Sequence, residues 1–502
     1  MKKTTIFQCD NILLLMLIVL SVIPYYAAYK HQVYLIDDAY ITLTYSKNIV
    51  LGKGFVYNHL PRSLGTTTPL FALIIGFLSV VLKSIHHNIS VNSVAVFFTA
   101  TCWVSTAWIF FFERETWRLT KSEAFIFAML VIVNQHWIHL LGQESFFFSF
   151  LLVLMITFFY KKHFVTAGLL TGLLFATRGE GILVSFVISF LIFIPLRQLD
   201  FKNKFFFFLK YITGLIIVLL VYFAFSKLYF GSFLPSTLHV KQIQYNLKEW
   251  SGMRLNILEA IFKWFPASFA TNYFNLPLLP PFLLIIGVAC SFTKDFRFIL
   301  FLPWIFLYIA GYQFLQVQVY GWYLIPVLFV AYLYFSLGAI RVKSWLDRVF
   351  FLKSNTKYFS TCIILFFITC SALKLTETIN IYPGDVKAKT YLELSRWISE
   401  NTLPTSSVAC FEVGYFGFYT DNKIIDILGL VSPEMVKYVK NSNFKAGFFS
   451  LSPDYFVYLS EANWLLGGII SSNEFKSSYI DMARFKSFTS SGEAIIYKKI
   501  LD

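Results

Sequence analysis

The chain has 502 residues, of which 57% are hydrophobic and 14% charged, with 59 phenylalanines and a formal net charge of +15. This composition excludes an ordinary soluble domain and indicates a polytopic membrane protein. The positive charge does not point to nucleic acid: lysine and arginine cluster in short loops between apolar runs, as the positive-inside rule requires, and no nucleic-acid-binding motif is present.

In chain order, Met1-Lys2-Lys3 and the apolar run 12–28 read as an uncleaved signal anchor. No small-x-small cleavage site follows cleanly, and many more spans come after it. About eleven segments suit membrane-spanning helices, each needing about 20 residues: 11–29, 91–112, 124–140, 145–160, 164–177, 181–196, 205–229, 279–292, 297–315, 322–339 and 358–375. The basic loops hold Arg114, Arg118 and Lys121; Lys161 and Lys162; Arg197, Lys202 and Lys204; Lys294 and Arg297; and Arg341, Lys343, Arg348, Lys353 and Lys357. They share one side of the bilayer only if 70–83 does not cross. That segment opens Thr67-Thr68-Pro69, a cap followed by proline at the first helical position, and reads as a juxtamembrane helix on the outer side. The N-terminus is then cytoplasmic and Asp37-Asp38 face outward. Segment 230–278, with Trp250, Trp264 and several lysines, reads as amphipathic and surface-lying.

After Thr376 the apolar runs shorten and Pro, Gly and charge increase. Residues 387–400 have helical periodicity. Short apolar runs at 407–411, 424–428, 455–459 and 494–497 read as strands. The expected fold is therefore mainly α, a polytopic membrane module over 1–375, with a small extracytoplasmic (periplasmic) α/β domain over 376–502. Cys102, Cys290, Cys362 and Cys370 lie in apolar runs and Cys9 at the N-terminus. Cys410 alone falls in the later region, so no internal bridge is expected there.

Chemistry concentrates at the outer face. A carboxylate drawn to mid-membrane depth costs about 2.5–3.5 kcal/mol. The pair Asp37-Asp38 must therefore be hydrated, share a proton or be neutralised by a cation. One of the two also suits the N-cap of a helix over 39–51, ended by Gly52 or Gly54; the roles are compatible. Glu144, between two spans, is either a helix-start acid or a second carboxylate of the same cavity. Carboxylates flanking a phosphate are a usual setting for Mg2+ or Mn2+, which makes the aspartate pair with Glu144 a candidate metal setting. Within 231–241, His239 and Lys241 at headgroup level suit a lipid phosphate, although Lys241 also suits simple snorkelling. Arg62 and Arg178 are further cationic candidates, and Arg178 beside Glu180 also reads as a local ion pair. Tyr320-Gly321-Trp322-Tyr323 reads as an interfacial aromatic belt that can also stack on a sugar. His86-His87 reads as a solvated loop. No Walker loop, dinucleotide fingerprint or nucleophile elbow is present.

These residues resemble the GT-C superfamily of integral-membrane glycosyltransferases, which use lipid-phosphate-linked sugars. The resemblance rests on Asp37-Asp38-Ala39-Tyr40, on 51–58 (LGKGFVYN), on 66–70 (TTTPL), and on Leu234-Pro235-Ser236-Thr237 with Lys241. The stretch from Gly414-Tyr415-Phe416-Gly417 to Leu430 is similar to the tail of bacterial members related to arabinofuranosyltransferases. One departure is Gly321-Trp322-Tyr323 before Leu324, where related chains often carry arginine. The resemblance implies Asp37 as general base and Asp38 orienting the acceptor or touching a metal. It further implies Glu144 as a later outer acid and Lys241 on the lipid phosphate. Tyr40, Tyr320 and Trp322 are the candidate sugar or acceptor contacts.

The expected activity is transfer of a sugar from a polyprenyl-phosphate donor to a cell-envelope glycan or glycolipid, metal-assisted and inverting, at the outer face of a bacterial inner membrane. A flippase for a lipid-linked glycan is the alternative. It would require polar groups near mid-membrane on several helices, and the expected spans carry almost none. A lectin-like anchor would leave the aspartate pair without a role.

Overall fold

The computed structural model describes residues 13–58, 62–133, 138–193, 200–250, 256–270, 279–293, 295–349, 357–382 and 384–500. Cys9, Arg197, Lys294 and Lys353, and the side chains of Trp250 and Trp264, lie outside the described residues. Helices stand where the apolar pattern places spans: Leu13–His31, Val91–Phe112, Lys121–Val133, Ser145–Tyr160, Phe164–Thr177, Leu183–Phe193, Phe201–Phe230, Leu279–Ser291, Phe301–Leu315, Ile325–Val349 and Lys357–Ile381. Among the described residues, five helical stretches are long and apolar enough to cross a membrane, namely Leu13–His31, Val91–Phe112, Phe201–Phe230, Phe296–Leu315 and Gly321–Val349. Lipid gives helices little hydrophobic reason to associate, so close van der Waals approach must do so. Gly168 and Gly214 supply it between Phe164–Thr177 and Phe201–Phe230, where a Cβ on Gly168 would stand 1.9 Å from the Tyr211 carbonyl oxygen.

Among its described residues, the segment expected at the membrane surface includes the α-helices Ser236–Asn246 and Ile257–Ala270. Pro69–Ile85 is helical with proline in its first turn. The Thr68 side chain does not cap it; its hydroxyl bonds those of Thr42 (3.3 Å) and Thr66 (3.2 Å) instead.

In the C-terminal unit, the helix Ala388–Asn401 precedes a five-stranded sheet of order β2-β1-β3-β5-β4. The strands are β1 (Ser407–Cys410), β2 (Lys423–Asp426), β3 (Tyr455–Leu459), β4 (Tyr479–Lys486) and β5 (Glu493–Lys499). β1 runs parallel to β2 and β3, and β5 runs antiparallel to β3 and β4. The sequence reading anticipates four of these and not β4. That edge strand buries only Tyr479 and so presents no apolar run.

This unit is docked on the helix Asp37–Val50 and the loop after it. The Tyr57 hydroxyl donates to the Val413 carbonyl (2.6 Å). Asn58 donates to the Ile424 carbonyl (2.8 Å) and accepts from its N–H (3.1 Å), which extends the free edge of β2. Lys47 donates to the carbonyls of Phe418 (2.8 Å) and Thr420 (3.1 Å).

Candidate active site

The two aspartates open the helix Asp37–Val50, but the cap residue is Ile36, so neither plays the capping role open to it in sequence. Asp37 turns both oxygens toward the C-terminal unit. Oδ2 accepts from the Gly414 N–H and Oδ1 from the Tyr415 N–H, each at 3.0 Å. The backbones meet so closely that a Cβ on Gly414 would lie 1.9 Å from the Asp37 carbonyl oxygen. Burial, and then the nearby Glu412, hold the Asp37 carboxyl well above the usual carboxylate range; the two amides pull the other way without prevailing.

Successive residues on an α-helix are rotated by about 100°, so Asp38 points elsewhere. It lines a cavity of about 540 Å³, within the range of about 300–1,000 Å³ usual for small-ligand sites. Burial raises its pKa; Lys241 and Lys387 oppose that shift and Glu412 adds to it. Among the described residues its carboxylate is acted on by charge rather than by hydrogen bonds. On the membrane side the cavity is also lined by Lys241, Gln244, Tyr320 and Trp322, and from the C-terminal unit by Lys387, Tyr391, Glu412, Trp464 and Phe488. Lys387 Nζ donates to one Glu412 oxygen (2.5 Å) and the Tyr391 hydroxyl to the other.

A second cavity, of about 310 Å³, has a mainly apolar lining that includes Phe175, Ile182, Leu183, Leu234, Leu238 and Leu315. Among the described residues its only charged lining side chains are Arg178, Glu180 and Lys241. Lys241 lines both cavities. Thr237, Val240, Lys241 and Gln244 recur at helical spacing and form the buried face of Ser236–Asn246. Lys241 Nζ donates to the Tyr323 hydroxyl at 2.8 Å. Arg178, 4% exposed, reaches Glu144 through Nη1 (3.0 Å) and Glu180 through Nε (2.5 Å).

The structure thus gathers Asp37, Asp38, Lys241, Tyr320 and Trp322 around one cavity, and Arg178 with Lys241 around the other. Other candidates fall elsewhere. His239 is exposed, on the helix face opposite Lys241. Arg62 is exposed and lies 4.7 Å over the Tyr229 ring. Tyr40 is fully buried, its hydroxyl donating to the Val33 carbonyl (2.7 Å) and paired with that of Tyr419 (2.9 Å), so it serves the packing of the two parts. Glu144 lines neither cavity and binds Arg178. Asp38 lines the larger cavity and Glu144 does not, though Lys241 acts on the charge of both. Among the described residues no group of three or more His, Cys, Asp or Glu side chains is placed to hold a metal ion by itself. Sequence reasoning missed Gln244, Lys387, Glu412 and Trp464. For Glu412 the available signal was a lone acid between a strand and the glycine pair Gly414 and Gly417.

A family described as a domain of unknown function (DUF8728) matches residues 380–497. No curated protein matches the chain by sequence. Among solved structures, ArnT from Cupriavidus metallidurans bound to undecaprenyl phosphate is similar with a TM-score of 0.62 at 10% identity, over 96% of this chain and 97% of that one. The same protein in the apo state gives 0.61 at 11% identity, over 98% of each chain. The fold is that of the two ArnT structures.

Proposed function

We propose that this protein is a membrane glycosyltransferase that moves a sugar from a polyprenyl-phosphate donor to a hydroxyl of a cell-envelope glycan or glycolipid, at the outer face of a bacterial inner membrane. The N-terminus is then cytoplasmic and the C-terminal unit periplasmic. The observation that carries this reading is the position of Lys241, a buried cation shared by an apolar cavity and an acidic, aromatic one. A polyprenyl phosphate has the same order of parts: an apolar chain, a phosphate, then a sugar. Its chain suits the smaller cavity, its phosphate Lys241 with Arg178, and its sugar the space beside Asp38. The ArnT structure with undecaprenyl phosphate adds support by analogy of fold.

The chemistry follows from these groups. Asp38 takes the proton of the acceptor hydroxyl, whose oxygen forms the new bond to the anomeric carbon. The bond from that carbon to the phosphate oxygen breaks, and its electron pair leaves on the phosphate. Lys241 and Arg178 stabilise the growing charge. A single displacement without an enzyme nucleophile inverts the anomeric carbon, by analogy with inverting glycoside chemistry. The base role goes to Asp38 rather than Asp37 because both Asp37 oxygens already accept backbone N–H bonds. The test is transfer by purified Asp38→Asn with a polyprenyl-phosphate sugar. Donor binding should persist and turnover should collapse; flipping of lipid-linked glycan without transfer by the unaltered protein would favour the transporter alternative.

A further inference from the structure

The larger cavity has two walls from distant parts of the chain. The membrane-side wall carries Gln244, Tyr320 and Trp322, with the last two rings stacked at 4.8 Å and 7°. Gln244 is 1% exposed, and its Nε2 has no hydrogen-bond partner among the described residues. A buried donor is normally satisfied, so a ligand oxygen is the natural completion of this one. The opposite wall belongs to the C-terminal unit. There Trp464, 39% exposed on the helix Asn463–Ile470, stands edge-to-face with Phe411 at 6.0 Å, and Phe488 lies beside the same space. Aromatic faces with amide and carboxylate groups between them match the C–H face and hydroxyl rim of a saccharide.

The charges narrow the class. Lys387 is engaged by Glu412, and Lys241 by Tyr323 and by its place at the donor phosphate. The remaining titratable lining groups, tyrosines aside, are acids: Asp37, Asp38, and Glu461, which accepts from Ser487 and Thr489. A phosphate- or uronate-bearing acceptor would meet acids on this side, with both lining cations already engaged.

We propose that the C-terminal unit is the acceptor-binding half of the site, and that the acceptor is an uncharged saccharide laid against Trp464 and Phe488 with one hydroxyl directed at Asp38. This rests on the glycosyl-transfer reading and extends it to the acceptor. The unit is then part of the reaction centre rather than a cover over it.

The test uses the full-length protein in lipid nanodiscs on an array of uncharged oligosaccharides and the same oligosaccharides bearing a terminal phosphate. Uncharged glycans should bind at least about tenfold tighter than their phosphorylated partners. Trp464→Ala should weaken that binding by about tenfold, the size of one aromatic contact, and Trp464→Phe should recover most of it. Undecaprenyl phosphate binding and the melting temperature of both variants should match the unaltered protein, which excludes misfolding. Equal or tighter binding of phosphorylated glycans, no binding of any uncharged glycan, or full binding by Trp464→Ala overturns the proposal. Failure of the unaltered protein to bind undecaprenyl phosphate is a separate result: it defeats the transfer reading, whatever the glycan array reports.

Discussion

The same substitution at two adjacent positions should have opposite consequences. Asp37→Asn keeps the side-chain shape but replaces one acceptor oxygen with an NH2 group. One of the Gly414 and Tyr415 amides keeps its bond, and the other meets a donor. Losing a hydrogen bond to a charged group is worth about 1.5–3 kcal/mol, and a stranded buried N–H costs about 1–3 kcal/mol. Burial already disfavours the Asp37 charge, so removing that charge returns part of the loss. We expect a net weakening of docking by about 2 kcal/mol. Asp38→Asn removes no hydrogen bond. Lys387 keeps Glu412 and Lys241 keeps Tyr323, so stability should move by no more than about 0.5 kcal/mol. Turnover should fall by about 10²–10⁴-fold, the usual contribution of a positioned base. The assays are thermal unfolding with limited proteolysis of the C-terminal unit, and single-turnover sugar transfer. Near-normal transfer by Asp38→Asn, or an Asp37→Asn protein that docks normally yet cannot turn over, would refute the division of labour.

Three further outcomes are expected. Asp38 works unprotonated and its pKa is raised, by burial above all, so the acid limb of kcat/KM should lie above the usual carboxylate range; Glu412→Gln removes a negative neighbour and should move that limb to lower pH, as pH–rate profiles would report. Asp426 is fully buried and its pKa is pushed up to about 6, by burial first, against the opposing amides of Val431 and Leu428. Its proton is therefore held more tightly in the folded state. The stability this gives is fully present below about pH 4 and is lost as pH rises through about 6, amounting to about 3 kcal/mol; Asp426→Asn should flatten that slope in melting curves. Arg178→Ala leaves Glu144 and Glu180 without their guanidinium and should cost about 3–5 kcal/mol, seen as loss of folded protein in size-exclusion profiles. Arg178→Lys should restore folding while weakening undecaprenyl phosphate binding, because the charge returns without the fork.

The membrane-spanning pattern was legible because a run of about 20 apolar residues has few other uses. Lys241 was legible as a lysine at headgroup level, where a phosphate can be held, but its place on the buried face of Ser236–Asn246 was not. The separate surroundings of Asp37 and Asp38 were not legible. They follow from rotation about a helix axis and from a partner 377 residues away, and neither leaves a local mark. Glu412 and Trp464 were hidden in the same way, by reaching the cavity only once the C-terminal unit docks. Tyr40 misled because an aromatic beside two acids looks like a ligand contact, whereas its ring packs against Tyr415, Phe418 and Tyr419.

Much of the stretch that first suggested chemistry is an interface. Tyr40, Lys47, Tyr57 and Asn58 all bond the C-terminal unit, as does Asp37. Gly414 and Gly417 are the complementary side, where a Cβ would meet the Asp37 carbonyl oxygen at 1.9 Å and the Tyr57 hydroxyl at 2.1 Å. Each neutral hydrogen bond of this set is worth about 0.5–1.5 kcal/mol, so the interface is strong only as a group. Its product is positional. Asp38 sits one residue from the Asp37 clamp, and a displacement of about 1 Å at a reacting group can cost about 10²-fold in rate. Both carboxylates line the cavity, but only Asp37 is pinned to the opposite wall, so the motif ties catalysis to docking, and mutations at Tyr57 or Asn58, outside the cavity lining, should slow transfer through Asp38.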